Sequence, residues 1–320
     1  MVGKLTPNTR ASASLLPAIL GLSKYSSPND ALLQCITAIK GEELPNIQNE
    51  SMAWGDTFEP AILKEAAMRL GLDNLDISHD QPCHHPELPL SCSLDGTAHG
   101  RGLLVETDPE RGIYVMGQDS IILDGIGVLE AKLTAADVED SPPLWRGPVQ
   151  LQAQMDILGC SWGAVCTLYR GTALRVYLFA KHEGTVSRVK DAVTEFQKKL
   201  DNFKATGAID YYPPVDSRDA NRTWSVAQEE DVEPMPLGDE EDFLVDQIMM
   251  LKQQIKEAEA QIDKYETHLK DLMRDKPRAY TQRWDIKWPM RHYKAKAEYV
   301  VPAKEAYSVR QSVLTIKERK

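Results

Sequence analysis

The run Gly127-Val128-Leu129-Glu130-Ala131-Lys132-Leu133 sets a carboxylate and an amine two residues apart. At a strand period of two, both fall on one face while Leu129, Ala131 and Leu133 take the other. One face suits a core and the other suits chemistry, although a Glu-x-Lys pair is also an ordinary ion pair on a half-buried strand. Further upstream, Ser93-Leu94-Asp95-Gly96 places an aspartate before a glycine, which permits a tight turn able to aim the carboxylate into a cleft. Glu59 lies in Trp54-Gly55-Asp56-Thr57-Phe58-Glu59-Pro60, read as a helix start with Asp56 as cap and Glu59 in the first turn, where the helix dipole favours a carboxylate in any case. Taken singly, these are an ion pair, a turn and a helix start. Taken together, Asp95 and Glu130 supply the hard oxygen ligands that Mg²⁺ prefers. Phosphodiester hydrolysis needs such ligands, an activated water and an offset for negative charge. Lys132 can orient the water or help deprotonate it, and can stabilise the charged transition state.

The elements that must position these groups are legible as a coarse alternation. Helices are predicted over 12–20, 57–70, 148–158 and 185–203, and strands over 127–133, 164–169 and 173–179, with Gly and Pro between them. The alternation predicts one mixed α/β domain. On a helix starting at Pro148, Gln150 and Gln154 share a face, whereas Gln152 points about 200° away. Segment 97–126 is expected to form a hairpin with strands at 102–106 and 113–115.

Charge is distributed unevenly along the 320 residues. The formal net charge of −11 taken alone argues against a nucleic-acid partner, because non-specific DNA binding relies on Lys and Arg neutralising phosphates. Between Glu229 and Asp246 there are nine acidic residues and no basic ones, the composition of a solvated linker. Beyond it Leu244, Ile248, Leu251, Ile255, Ala258, Ile262, Tyr265, Leu269 and Leu272 alternate spacings of four and three, the heptad pattern of a coiled-coil seam on a helix roughly 50 Å long. Residues 276–320 then carry twelve Lys or Arg against four Asp or Glu, interleaved with Trp284, Trp288, Tyr293, Tyr299 and Tyr307, which reads either as a DNA-contacting surface or as a small solvated β-unit. The predicted organisation is a catalytic domain over 1–205, an acidic linker over 206–240, a coiled-coil helix over 241–275 and a basic unit over 276–320.

The order of WGDTFEP, SLDG, GVLEAK and VQLQAQMDILG, preceded by ASASLLPAILGLSKY, resembles the YqaJ viral recombinase family, which includes lambda-type phage exonucleases of the PD-(D/E)XK nuclease superfamily. The resemblance covers about residues 10 to 200. It implies a restriction-endonuclease-like core, a central mixed β-sheet flanked by helices. It also implies a DNA exonuclease acting on duplex ends, 5′ to 3′, with Mg²⁺ or Mn²⁺ as its metal. Carried over motif by motif, Asp95, Glu130 and the Ala131 backbone carbonyl become metal ligands, Lys132 the catalytic lysine, Glu59 a supporting carboxylate and Gln150 the helix residue completing the site. Ser14 and Ser93 match hydroxyls near the substrate phosphate, and both also suit a cap or a turn. Two departures are a 35-residue gap between Asp95 and Glu130 and the lack of a clear match to the family's 5′-phosphate arginine, for which Arg10 is the nearest candidate. The implied partners are DNA, a single-strand annealing protein and further copies of the chain, since processive digestion suits a ring.

Other signals are weaker. Cys83-His84-His85 with Cys92 has metal-ligating residue types but no usual zinc spacing. Gly21-Leu22-Ser23-Lys24 lacks the phosphate-loop spacing. The five cysteines read as free thiols of a reducing cytoplasm, which for a phage-encoded chain is that of a bacterial host. No apolar run is long enough to span a membrane. The rival readings are an endonuclease or single-strand exonuclease of the same fold, and a non-catalytic DNA-binding scaffold.

Overall fold

The computed structural model describes residues 6–44, 49–225 and 234–290. The chain divides into two compact units, Met1–Thr223 and Trp224–Lys320.

The first unit opens with β1 (Ala11–Ser12), a 3₁₀ turn (Ala13–Leu15), α1 (Leu16–Ile19), α2 (Pro28–Ile39) and α3 (Glu50–Leu70). Short strands β2 (Leu75–Asp76), β3 (Cys83–His84) and β4 (Leu90–Cys92) follow, then the long β5 (Gly96–Glu106), β6 (Ile113–Val115) and the long β7 (Ser120–Thr134). The unit closes with α4 (Pro148–Leu158), β8 (Trp162–Tyr169), β9 (Ala173–Ala180), α5 (Glu183–Thr206) and α6 (Ser217–Thr223). Six strands form one mixed sheet in the order β2-β5-β7-β8-β9-β6, and β1-β4-β3 form a smaller one.

Strand alternation splits the core in two. Val128 and Val165 face one way and pack with Leu16, Leu32, Leu151, Met155 and Phe196 from the helices α1, α2, α4 and α5. Leu129, Ala164 and Cys166 face the other way and pack with Leu63 and Ala66 of α3. Each large apolar side chain buried in this sandwich contributes about 1.5–3 kcal/mol. Within the sheet, the Trp162 ring of β8 lies over Gly127 of β7, where an added Cβ would lie 2.2 Å from it.

Local chemistry explains where the helices begin. Ser27 and Asp30 form a reciprocal capping box at 3.1 and 2.8 Å ahead of Pro28, so α2 starts there. Helix α3 starts at Glu50, seven residues before the predicted start, because the Asn49 side chain accepts the Met52 N–H at 3.0 Å. Asp56 is therefore no cap and Glu59 lies mid-helix, beside the internal Pro60.

Two connections also differ from expectation. The hairpin joins β5 to β7, in register from Gly96↔Leu129 to Glu106↔Ser120, while β6 crosses to the far edge and pairs parallel with β9. Buried Ile113 and Val115 give that short strand its apolar reason to join the core there. Residues after Thr206, expected as linker, fold back: Ser27 Oγ donates to the buried Asp219 at 2.5 Å, and the Val215 N–H donates to it at 3.0 Å. The compact unit therefore extends to Thr223.

In the second unit α7 (Asp239–Met273) runs 35 residues, with Met273 its buried residue, and β10 (Arg278–Tyr280) pairs antiparallel with β11 (Asp285–Lys287). The predicted tail aromatics Tyr293, Tyr299 and Tyr307 lie outside the described residues. Among the described residues no helix is long and apolar enough to cross a membrane.

Candidate active site

Pairing of β5 with β7 ends at Gly96↔Leu129, so beyond Leu129 one side of β7 is left without a neighbouring strand. The Asp95 carboxylate fills that position: its Oδ2 accepts the Ala131 N–H at 2.8 Å. Because the N–H and C=O of one residue in an extended strand project to the same side, the Ala131 carbonyl faces the same opening. Gly96, read as permitting a tight turn, opens β5 without a positive φ. It permits close packing instead, since a Cβ there would meet Leu63 of α3 at 3.1 Å.

Glu130 and Lys132 project from the other side of the alternation, toward α4. Glu130 is 1% exposed, a burial that costs several kcal/mol for an ionised carboxylate unless it is paired. One oxygen pairs with Lys132 Nζ and the other accepts Gln154 Nε2 at 2.7 Å. Lys132 Nζ also donates to Gln150 Oε1 at 3.4 Å. Helix α4 is drawn against β8 at Gly147 (φ 105°), where a Cβ would lie 2.8 Å from Val165, and this brings both glutamines over the sheet.

Asp95, Glu130, Ala131, Lys132 and Gln150 line a cleft of about 530 Å³ together with Glu59, Ser14, Ser93 and His79. Burial, the Glu130 carboxylate and Glu59 together hold Asp95 well above the usual carboxylate range, despite Lys132 and the Ala131 N–H. Burial, then Glu130 and Asp56, raise Glu59 likewise. Burial alone would lower Lys132, but Glu130, Asp95 and Glu59 outweigh it and hold the ammonium above its usual value. The cleft thus concentrates negative charge on hard oxygen donors around one lysine. That set fits Mg²⁺, which takes one or two carboxylates and keeps several waters. Among the described residues no group of three or more His, Cys, Asp or Glu is close enough to hold a metal by side chains alone.

Residues 7–135 match the family model of the YqaJ-like viral recombinase domain. The YqaJ-like segment contains Ser14, Glu59, Ser93, Asp95, Glu130 and Lys132, whereas Gln150 and Gln154 lie beyond it. Among solved structures, an alkaline exonuclease from Laribacter hongkongensis is similar at 14% identity, over 61% of this chain and 89% of its own, with a TM-score of 0.43. A phage-related exonuclease from Haemophilus somnus 129PT is similar at 12% identity, over 62% and 96%, with a TM-score of 0.39. No curated protein matches the sequence. Those structural likenesses are distant, so the chemistry rests on the cleft itself and on the YqaJ-like match.

The remaining sequence candidates fall in three places. Ser14 is exposed in the cleft and bonds Ser12 Oγ at 3.1 Å, whereas Ser93 Oγ is buried without a partner. Arg10 does not line the cleft; its backbone carbonyl accepts the Cys35 thiol. Gln152 points away, bonded to the Ala180 carbonyl at 2.9 Å and the His182 N–H at 2.8 Å. His79, bonded to Thr97 Oγ1 at 3.3 Å, joins the cleft with no sequence signal to announce it. The Cys83/His85 group is engaged otherwise: His85 Nδ1 accepts two backbone N–H groups at 3.0 Å, so Nε2 donates to Asp156 at 3.1 Å.

Proposed function

We propose that this chain is a divalent-metal-dependent deoxyribonuclease that digests duplex DNA from its ends, 5′ to 3′, in phage-type recombination. The observation carrying this reading is the convergence of Asp95, Glu130 and Lys132 at the unpaired side of β7, inside a YqaJ-like segment. Asp95, Glu130 and the Ala131 carbonyl would hold Mg²⁺ or Mn²⁺, with Glu59 in support. Bound there, the metal would supply Lewis-acid stabilisation of the phosphate and a more acidic water.

The chain's own groups do the rest. Lys132 offsets charge developing on the phosphate oxygens, Gln150 holds the lysine's ammonium toward the cleft, and Ser14 offers a neutral donor for a phosphate. Released 3′ single strands would pass to an annealing protein, and a homo-oligomer would favour continuous digestion.

The test is digestion of linear duplex labelled at the 5′ or 3′ end, with Mg²⁺ or EDTA, comparing wild type with Glu130→Ala and Lys132→Ala and using a covalently closed circle as control. Metal-dependent loss from 5′ ends, absent on the circle and in both variants, is expected. Cutting of the circle would make the chain an endonuclease, and no cutting of any substrate would leave a binding scaffold.

A further inference from the structure

We propose that the ribbon formed by β10 and β11 binds an unpaired DNA strand, its tryptophans stacking on bases and its cations contacting phosphates. The choice of DNA rests on the reading of the first unit, but the site itself involves no residue of the cleft.

Strand pairing sorts the ribbon's side chains onto two faces. Arg278 lies opposite Lys287 and Tyr280 opposite Asp285, with Ala279 opposite Ile286 between them. Paired residues share a face and neighbours alternate, so Arg278, Tyr280, Asp285 and Lys287 stand on one side. The flanking bonds carry the alternation on: the Thr281 N–H donates to the Trp284 carbonyl at 2.8 Å, and the Trp288 N–H to the Pro277 carbonyl at 2.9 Å. Trp284, Ile286 and Trp288 therefore stand on the other side.

The fold leaves the rings open. Tyr280 is 84% exposed, Trp284 66% and Trp288 46%, and an isolated two-stranded ribbon is too small to bury such side chains in a core of its own. Lys276 pairs with Asp275 at 3.3 Å, whereas Arg278 and Lys287 are exposed with no ion pair among the described residues. At the turn, the Arg283 guanidinium stands 5.7 Å from the Trp284 ring centroid. A cation and a stacking ring are thus offered together.

Charge and ring chemistry choose the occupant. From Lys276 to Met290 four Lys or Arg oppose one Asp, in a chain whose formal net charge is −11. That local reversal complements a polyanion, and a merely solvated β-unit gains nothing from open indoles. An indole has one donor and no acceptor, so it reads the edges of paired bases poorly. Its face, by contrast, accepts any base, and a base offers its own face only when unpaired.

The test is binding of the full chain to a fluorescent oligothymidylate of about twelve nucleotides, followed by anisotropy in EDTA so that nothing is hydrolysed. Trp284→Ala/Trp288→Ala should weaken binding about 10–100-fold, whereas Trp284→Phe/Trp288→Phe, which keeps both rings, should bind nearly as wild type does. A base-free deoxyribose-phosphate strand of the same length keeps the charge without the bases. It should bind wild type weakly and lose nothing further in the alanine pair. Arg278→Gln/Lys287→Gln should flatten the slope of log K against log salt by about 1.4, at about 0.7 per phosphate contact. Four results would each overturn the proposal: unchanged binding in the alanine pair; an equal loss on the base-free strand; a duplex or an oligouridylate held more tightly with the same dependence on the two tryptophans; or vesicles of anionic lipid preferred to the oligomer with that dependence. A chain that cuts no DNA yet keeps tryptophan-dependent binding would sink the reading of the cleft and leave the ribbon's role standing.

Discussion

The carboxylates at the two ends of α4 live in opposite surroundings. Near its first turns Asp95, Glu130 and Glu59 share a cleft with one ammonium, Lys132, and burial and mutual repulsion raise Asp95 and Glu59. At its last turn a single carboxylate, Asp156, receives Lys181 at 2.7 Å, His85 at 3.1 Å and Lys190 at 3.3 Å. Burial alone would raise Asp156, but these hydrogen bonds outweigh it and hold the carboxylate below its usual range. A satisfied node stabilises the fold. A crowded set of like charges opposes it, and groups perturbed in that direction in a cleft are the mark of a site kept for chemistry.

Removing a charge should therefore have opposite effects in the two places. Asp95→Asn relieves the crowding, so the metal-free protein should melt at or above the wild-type temperature while metal-dependent DNA hydrolysis falls by about 10³-fold or more. A variant that loses both stability and activity would make Asp95 a structural residue. Asp156→Asn should do the reverse, losing about 1.5–3 kcal/mol of stability with hydrolysis per folded molecule retained.

The pH dependence of that second effect has a definite sign. Asp156 is held lower in the folded than in the unfolded chain, so its contribution is fully present above the ordinary carboxylate range and is lost as pH falls through its folded value. Urea unfolding at pH 7 should separate wild type from Asp156→Asn, and the gap should close toward pH ~3, below the ordinary aspartate value. A gap that widens on acidification would mean that the node is not what lowers Asp156.

The two glutamines of α4 sharpen the contrast at smaller scale. Gln154 donates both to Glu130 and, at 3.2 Å, to the Ser93 carbonyl beside Asp95, tying the two carboxylate strands together. Gln154→Leu should cost about 10–100-fold in activity or in Mn²⁺ affinity measured by calorimetry, as outer partners of metal ligands do. Gln152→Leu breaks only its bonds to β9 and the start of α5, and should cost about 1 kcal/mol of stability with little change in Mn²⁺ binding. Equal effects from both would remove the distinction.

Much of β7 is legible in the sequence because its signal is local. The period of two placed Glu130 and Lys132 on one face, and the 3.6-residue turn of a helix from Pro148 separated Gln150 and Gln154 from Gln152. Signals spread along the chain were not readable. The Asp156 node joins residues 71, 25 and 34 positions away. The partner of the three-residue β6 is set by which edge offers a buried slot, which its own sequence does not state. The start of α3 was misplaced because Gly55 and a largely exposed first half hide the apolar periodicity that Asn49 actually caps. The docking of 206–223 depended on one buried aspartate, Asp219, meeting Ser27 and Asn29 from the opposite end of the domain.

Gly127 sits three residues before Glu130 with the Trp162 indole where any side chain would have to go. In a library of random variants selected for nuclease activity, this glycine would be as intolerant as the acids downstream of it, and a map of tolerance would draw the active site one turn of the pleat too long. The two kinds of intolerance leave different inheritances. A lineage that loses Glu130 keeps a folded cleft free to drift to a new role, whereas one that loses Gly127 loses the packing of β7 on β8 and has little left to adapt.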